Sequence, residues 1–248
     1  MTVVLFQHGP ADPFAAASAT PGRLAPTAKT AMQQRIDLVG TSLPHRTTVR
    51  SFRKGEVIGI SSRDVCALVE RGIVSASTHL TDGREFIVEL FATGTMIGEL
   101  GALRRQSLEL EYRATSDCDL RFYDGRLLRQ MCSTEPDFQE TVLASAFARI
   151  AELEQRIVAS AGSSLISRLA QTLLRLSKIY GADRQQASDE VAISQHDLAA
   201  TLPASREKVN KGLRRLRAQN VVGGTQGRIV ILDRRALEAC AKDGSRFS

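Results

Sequence analysis

The chain's apolar and polar positions change period more than once along its length. Between Arg46 and Leu128, short apolar runs at residues 47–52, 67–70, 73–78, 85–91 and 120–123 are separated by turn residues. The breaks are Lys54-Gly55, Arg71-Gly72, Asp82-Gly83, Thr93-Gly94 and Asp124-Gly125. Short strands with glycine-bearing turns predict an antiparallel roll. Asp82-Gly83 suits a hairpin, since both residues tolerate positive φ. From 137 to 161 the period becomes helical, with no Gly or Pro. Leu143, Phe147, Ile150, Ile157 and Ala161 recur at the alternating steps of a coiled-coil seam, and Glu154 takes the missing step. A single protomer could cover this seam with its own roll, but so long a helix beside a compact domain predicts a homodimer axis. After Gly162 a second helix is expected to Tyr180, with Leu165, Leu169, Leu173 and Leu176 on one face. Gly181 then falls just past its end and residues 182–190 read as a polar loop.

Ser194-Gln195-His196-Asp197 opens a further helix, with Ser194 as cap and Asp197 completing a capping box. That helix carries Leu198, Ala199 and Leu202 and ends near Pro203; Ser205 then caps another helix over 206–217. Helix, tight turn and helix is the arrangement that places a second helix in a major groove. Val209, Leu213 and Leu216 fall within about 60° of one another, enough to anchor the helix. Arg206, Glu207, Asn210, Lys211 and Arg214 occupy a separate arc of about 140°. Arg206 and Lys211 are suited to guanine acceptors and Glu207 to a cytosine amino group. Lys208, Arg215 and Arg217 flank the arc as phosphate donors. Gly223-Gly-Thr-Gln-Gly227, between Val221-Val222 and Arg228-Ile-Val-Ile-Leu232, predicts a hairpin wing with Arg228 facing the DNA backbone. A short helix over 234–241 closes a winged helix-turn-helix.

Charge agrees with that placement. The 248 residues carry a net charge of +6, but residues 163–248 hold 15 Lys and Arg against 8 Asp and Glu. Residues 1–162 hold 18 and 19. A basic module joined to a near-neutral one is the footprint of a polyanion binder. No run approaches the ~18 apolar residues of a membrane span. The opening Met1-Thr-Val-Val-Leu-Phe lacks a basic leader, and Cys66, Cys118, Cys132 and Cys240 lie far apart, so a reducing cytoplasm is expected. Pro10, Pro13, Pro21 and Pro26 make residues 1–32 a flexible extension. The domain plan is then extension (1–32), sensory roll (33–136), dimerisation helix (137–162) and DNA-binding module (163–248), an α+β fold. No phosphate loop, His-Glu-x-x-His motif, nucleophile elbow or metal-ligand spacing argues for an enzyme.

The order of roll, long helix and winged helix-turn-helix resembles the Crp/Fnr superfamily of bacterial transcription factors, over about 46–241. Two strings carry the likeness. Leu90-Phe-Ala-Thr-Gly-Thr-Met-Ile-Gly-Glu-Leu-Gly101 is similar to the family's Gly-Glu-Leu phosphate-binding turn. Asp197-Leu-Ala, Ser205-Arg-Glu-Lys-Val-Asn-Lys-Gly-Leu-Arg-Arg-Leu216 and Gly227-Arg-Ile-Val-Ile-Leu-Asp233 are similar to its DNA-reading helices and wing. The resemblance implies base reading by Arg206, Glu207 and Lys211, and backbone contacts from Ser194, Gln195, Ser205, Lys208, Asn210, Arg214, Arg215 and Arg228. It also implies double-stranded DNA, a second copy of the chain and RNA polymerase as partners. Lys211 stands where the family usually has Arg, which keeps the charge and loses the planar fork. Pro203 stands where Gly is common in the turn.

The effector pocket implied by the resemblance comprises Gly98, Glu99, Leu100, Glu109, Arg113 and Glu154. Where cyclic-nucleotide binders offer an Arg-Ser pair to the phosphate, this chain has Leu108 and Glu109, and a carboxylate repels that group. Leu153-Glu154 replaces the hydroxyl pair that meets the base. A cyclic nucleotide is therefore a disfavoured ligand, and Gly98, Glu99 and Leu100 are expected to form a turn only. No Cys precedes Cys66, which argues against an iron–sulfur centre. His45 and His79 are the roll's available haem ligands, and Cys132 is the candidate thiol switch. A small-molecule module acting on a partner protein is the alternative to DNA reading.

Overall fold

The computed structural model describes residues 47–60, 64–105, 109–183, 189–202, 204–225 and 227–242. The expected extension, His45, residues 106–108 and Pro203 lie outside the described residues. The roll comprises β1 (Thr48–Phe52), β2 (Val57–Ile58), β3 (Val65–Arg71), β4 (Ile73–His79), β5 (Glu85–Ala92), β6 (Met96–Ile97), β7 (Glu111–Ala114) and β8 (Cys118–Asp124). Two antiparallel sheets form, ordered β1-β8-β3-β6 and β2-β7-β4-β5. Phe52, Val69 and Leu120 from one meet Val74, Phe91 and Tyr112 from the other in a single buried cluster. All five runs expected from the pattern are strands, to within two residues at each end.

The differences have local causes. β2 and β6 have two residues each, too few to show alternation. Asp124-Gly125 is a helix start and not a turn, because the Asp124 carboxylate accepts from the Arg126 N–H at 2.8 Å and caps α2 (Gly125–Thr134). The Gly98-Glu99-Leu100 string likewise opens a helix, α1 (Glu99–Arg104), and is more than a turn. In the hairpin only Gly83 takes positive φ (80°), and its N–H donates to Leu80 O at 2.9 Å. That is a three-residue loop ending in a left-handed residue.

The long helix α3 runs over Pro136–Gly162. Phe138 and Val142 bury its first turns against Leu127, Leu128 and Met131 of α2 and against Cys66 and Leu68 of β3. Beyond them the outer stripe is bare: Phe147 is 64% exposed and Ile157 67%, with Leu143, Ile150 and Val158 also exposed. The protomer's own roll does not cover the seam.

The C-terminal module contains α4 (Leu165–Asp183), β9 (Glu190–Val191), α5 (Gln195–Ala200), α6 (Arg206–Ala218), β10 (Val222–Gly223), β11 (Ile229–Ile231) and α7 (Arg234–Lys242). Helix α4 continues through Gly181, past its expected end, because the Tyr180 hydroxyl donates to Ala192 O at 2.9 Å and fastens the last turn. The loop expected over 182–190 is shortened from both sides, since Glu190 and Val191 pair with β11. Leu169, Leu173 and Leu176 are fully buried here, in a cluster that also takes in Ile73, Ile87 and Leu90 of the roll. Roll and module thus share one apolar contact.

Candidate nucleic-acid interface

Both helices of the reading unit are capped as the sequence requires. Ser194 Oγ accepts from the Asp197 N–H at 3.0 Å and Ser205 Oγ from the Lys208 N–H at 3.4 Å. Val209, Leu213 and Leu216 are buried, each contributing about 1.5–3 kcal/mol relative to exposure. Gly212 completes this anchoring face, a role the pattern of large apolar residues did not show: a Cβ there would lie 2.9 Å from Leu169 Cδ2. The signal was available, because 212 falls between Val209 and Leu216 on the same side of the helix.

The other arc is left to solvent. Arg206, Glu207, Lys208, Lys211, Arg214 and Arg215 are exposed, whereas Asn210 is half-buried with its Oδ1 out of solvent. Ser194 and Gln195 are half-buried at the start of α5, and Ser205 is exposed at the start of α6. In the three-stranded sheet β10-β11-β9, Arg228 is exposed but its Nε lies 3.0 Å from Glu190 Oε1, so its guanidinium is shared with β9. The outcome is a helix presenting six charged side chains beside a two-stranded wing.

The expected effector residues do not gather. Arg113, on β7 between β2 and β4, donates to Gly55 O at 2.9 Å and pairs with Glu111. Glu109 is exposed, and Glu154 is exposed on the bare stripe of α3. Gly98 and Glu99 meet residues the sequence reading missed. Gly98 needs its positive φ (77°), and a Cβ there would strike Ile60 Cγ2 at 2.6 Å. Arg149 of α3 lies between two carboxylates, its Nε 2.5 Å from Glu89 and its Nη1 2.8 Å from Glu99, with its guanidinium 5.3 Å from the Phe91 ring centroid. Burial, then the Glu99 charge, pushes the nearby Tyr112 phenol up to about 12. Arg149 sits eleven residues after Phe138 and seven after Val142, on the buried stripe of the same helix, and that spacing was its only signal.

Cys66, Cys118 and Cys240 are buried and Cys132 is half-buried. Burial pushes Cys66 up to about 12, aided by Glu99, and burial also raises Cys132. Among the described residues no group of three or more His, Cys, Asp or Glu could hold a metal, and no helix is long and apolar enough to cross a membrane.

A capped helix, packed by one face on α4 and α5 and flanked by a β-wing, defines a winged helix-turn-helix DNA-binding protein, here joined to a β-roll. Comparisons with known proteins agree at both ends. Residues 49–135 match the model of the cyclic nucleotide-binding domain and 167–240 that of the Crp-like helix-turn-helix domain. The cAMP-activated global transcriptional regulator CRP of Escherichia coli O6:H1 is 26% identical over 164 residues, covering 66% of this chain and 78% of that protein. The CRP-like protein Clp of Xanthomonas oryzae pv. oryzae is 26% identical over 195 residues, covering 76% and 81%. The structure of FixK2 from Bradyrhizobium japonicum superposes with a TM-score of 0.67 at 22% identity, over 78% of this chain and 96% of that one. The chain belongs to the Crp/Fnr family of DNA-binding transcription regulators.

Proposed function

We propose that the protein is a homodimer that reads a near-palindromic duplex through α6 of each protomer and does not use cyclic AMP as its switch. The observation that carries this reading is the division of α6 into a buried apolar face and an exposed arc of Arg206, Glu207, Lys211 and Arg214. Arg206, Glu207 and Lys211 are assigned to base edges. Ser194, Gln195, Ser205, Lys208, Asn210, Arg214, Arg215 and Arg228 are assigned to the backbone. The bare stripe of α3 supports pairing with a second copy, in which 137–162 is the dimer axis, 33–136 the sensory part and 163–248 the reader. Two-fold symmetry then places half-sites about 34 Å apart. RNA polymerase in the cytoplasm is the further partner, and the chain performs no catalysis.

Arguments against cyclic AMP are the engagement of Arg113 by Gly55 and Glu111 and the exposed carboxylates Glu109 and Glu154, which repel an anion. A thiol switch at Cys132 would need a thiolate, and burial opposes it.

Selection of bound duplexes from a random pool, followed by binding of the winner and its scramble at physiological salt, tests the reading. The expected result is a palindrome held by two chains. Equal binding of the scramble, or a single chain on one half-site, would overturn it.

A further inference from the structure

Strand β5 carries a β-bulge at the point where it meets the long helix. Opposite β4, Ala76 pairs with Glu89 and Ser77 with Ile87, so Val88 is the extra residue. A bulge releases the inserted residue from the ladder and turns the strand. Both consequences are visible. The Val88 carbonyl, freed from β4, accepts from Arg156 Nη1 of α3 at 2.7 Å. Side chains three residues apart on an unbroken strand point to opposite faces. Here Ile87 and Leu90 nonetheless join the same buried cluster, against α4 and the DNA-binding module, while Phe91 stays in the roll interior.

One strand therefore touches both the long helix and the C-terminal module. Toward α3, Glu89 pairs with Arg149 and Val88 holds Arg156. Toward the reader, Ile87 and Leu90 pack on the module and Glu85 Oε2 lies 3.5 Å from His196 Nε2 of α5. The arginines are placed for this. Arg149 and Arg156 are seven residues apart, on the stripe begun by Phe138 and Val142, so α3 turns an apolar edge and then a cationic one to the roll. Arg175 of α4 stands in the same junction, 3.8 Å from Glu152, and burial, then the neighbouring Arg156 charge, lowers it to about 10.

We infer that Arg156, acting with Arg149 on the bulged strand β5, is a positioning residue that straps the dimerisation helix to the strand carrying the DNA-binding module, and so sets the separation of the two reading helices without any ligand. This rests on the dimeric DNA reading proposed above. Since the partner of Arg156 is a backbone carbonyl, what the strap requires is a long N–H donor, and Lys supplies one.

The test uses the full chain with Arg156→Met, which keeps the apolar stem, and Arg156→Lys. Affinity is measured for palindromic duplexes whose half-site spacing is varied by one and two base pairs, and amide hydrogen exchange is followed in parallel. For Arg156→Met we expect a roughly tenfold loss at the best spacing and a flatter spacing profile. Exchange should quicken several-fold in 85–92 and 195–200, with Arg156→Lys restoring most of both. A spacing profile identical to that of the unsubstituted chain, or unchanged exchange in 85–92, would overturn the strap. If the unsubstituted chain bound no duplex, the DNA reading would fall and the exchange result would still decide the strap.

Discussion

Lys211 stands within the exposed arc of α6 and Lys208 at its edge, so the two lysines should fail differently. Lys211→Ala is expected to cost about 1–3 kcal/mol on the preferred duplex and to relax the preference at one base pair. Lys208→Ala should weaken all duplexes alike and reduce the salt dependence. Binding across a set of single-base variants separates the two, and an unchanged preference with Lys211→Ala would remove it from base contact. Cys66 gives a prediction of another kind. Its thiol is raised from 9.0 to about 12 in the folded protein, so the unfolded chain loses this proton first as pH rises. The contribution is complete below pH 9 and is lost between 9 and 12, measurable as a falling denaturation midpoint that a Cys66→Ala chain shows less. At this scale, faces and caps of α6 were legible because their partners are three or four residues away. The Arg149 contacts were not, because Glu89 and Glu99 reach it from β5 and α1, distant in the sequence.

Helix α6 is held by a small apolar face, so losing one member should be felt across the element. Leu213→Ala should destabilise the module by about 2–5 kcal/mol, read by thermal or urea unfolding. Helix α3 offers the complementary case. Phe147 has no cover within its protomer, so Phe147→Glu should leave folding nearly unchanged while raising the dimer dissociation constant at least tenfold, about 1.4 kcal/mol. Sedimentation checks this, and a monomeric parent chain would sink the dimer axis. Strands of seven or eight residues and the 27-residue helix were legible by periodicity. The short strands β2, β6, β7 and β9, and the helices opened by Gly98 and by the Asp124 cap, were not, since nothing in so few residues repeats.

For the molecule as a whole, the uneven charge distribution matters most. With the positive excess confined to 163–248, duplex affinity should fall at least tenfold between 50 and 200 mM salt, steeply enough to show counterion release. Cyclic AMP should give no calorimetric heat at low-micromolar concentration; saturable binding there would return Glu99 and its surroundings to a ligand role. The bulged strand β5 adds a property that belongs to neither half alone. It packs against the DNA-binding module through Ile87 and Leu90 and bonds the long helix through Arg156.

By itself the sequence determined what depends on near neighbours: strand and helix periods, caps at Ser194 and Ser205, the two faces of α6 and the basic C-terminal third. Each is a pattern that physics reads over a few residues or a simple sum of charges. Tertiary structure alone decided that α4 runs past Gly181, that Arg149 is held between two carboxylates, and that Arg156 reaches a carbonyl freed by a bulge. Those outcomes depend on which distant segments come together, and no local period carries that information.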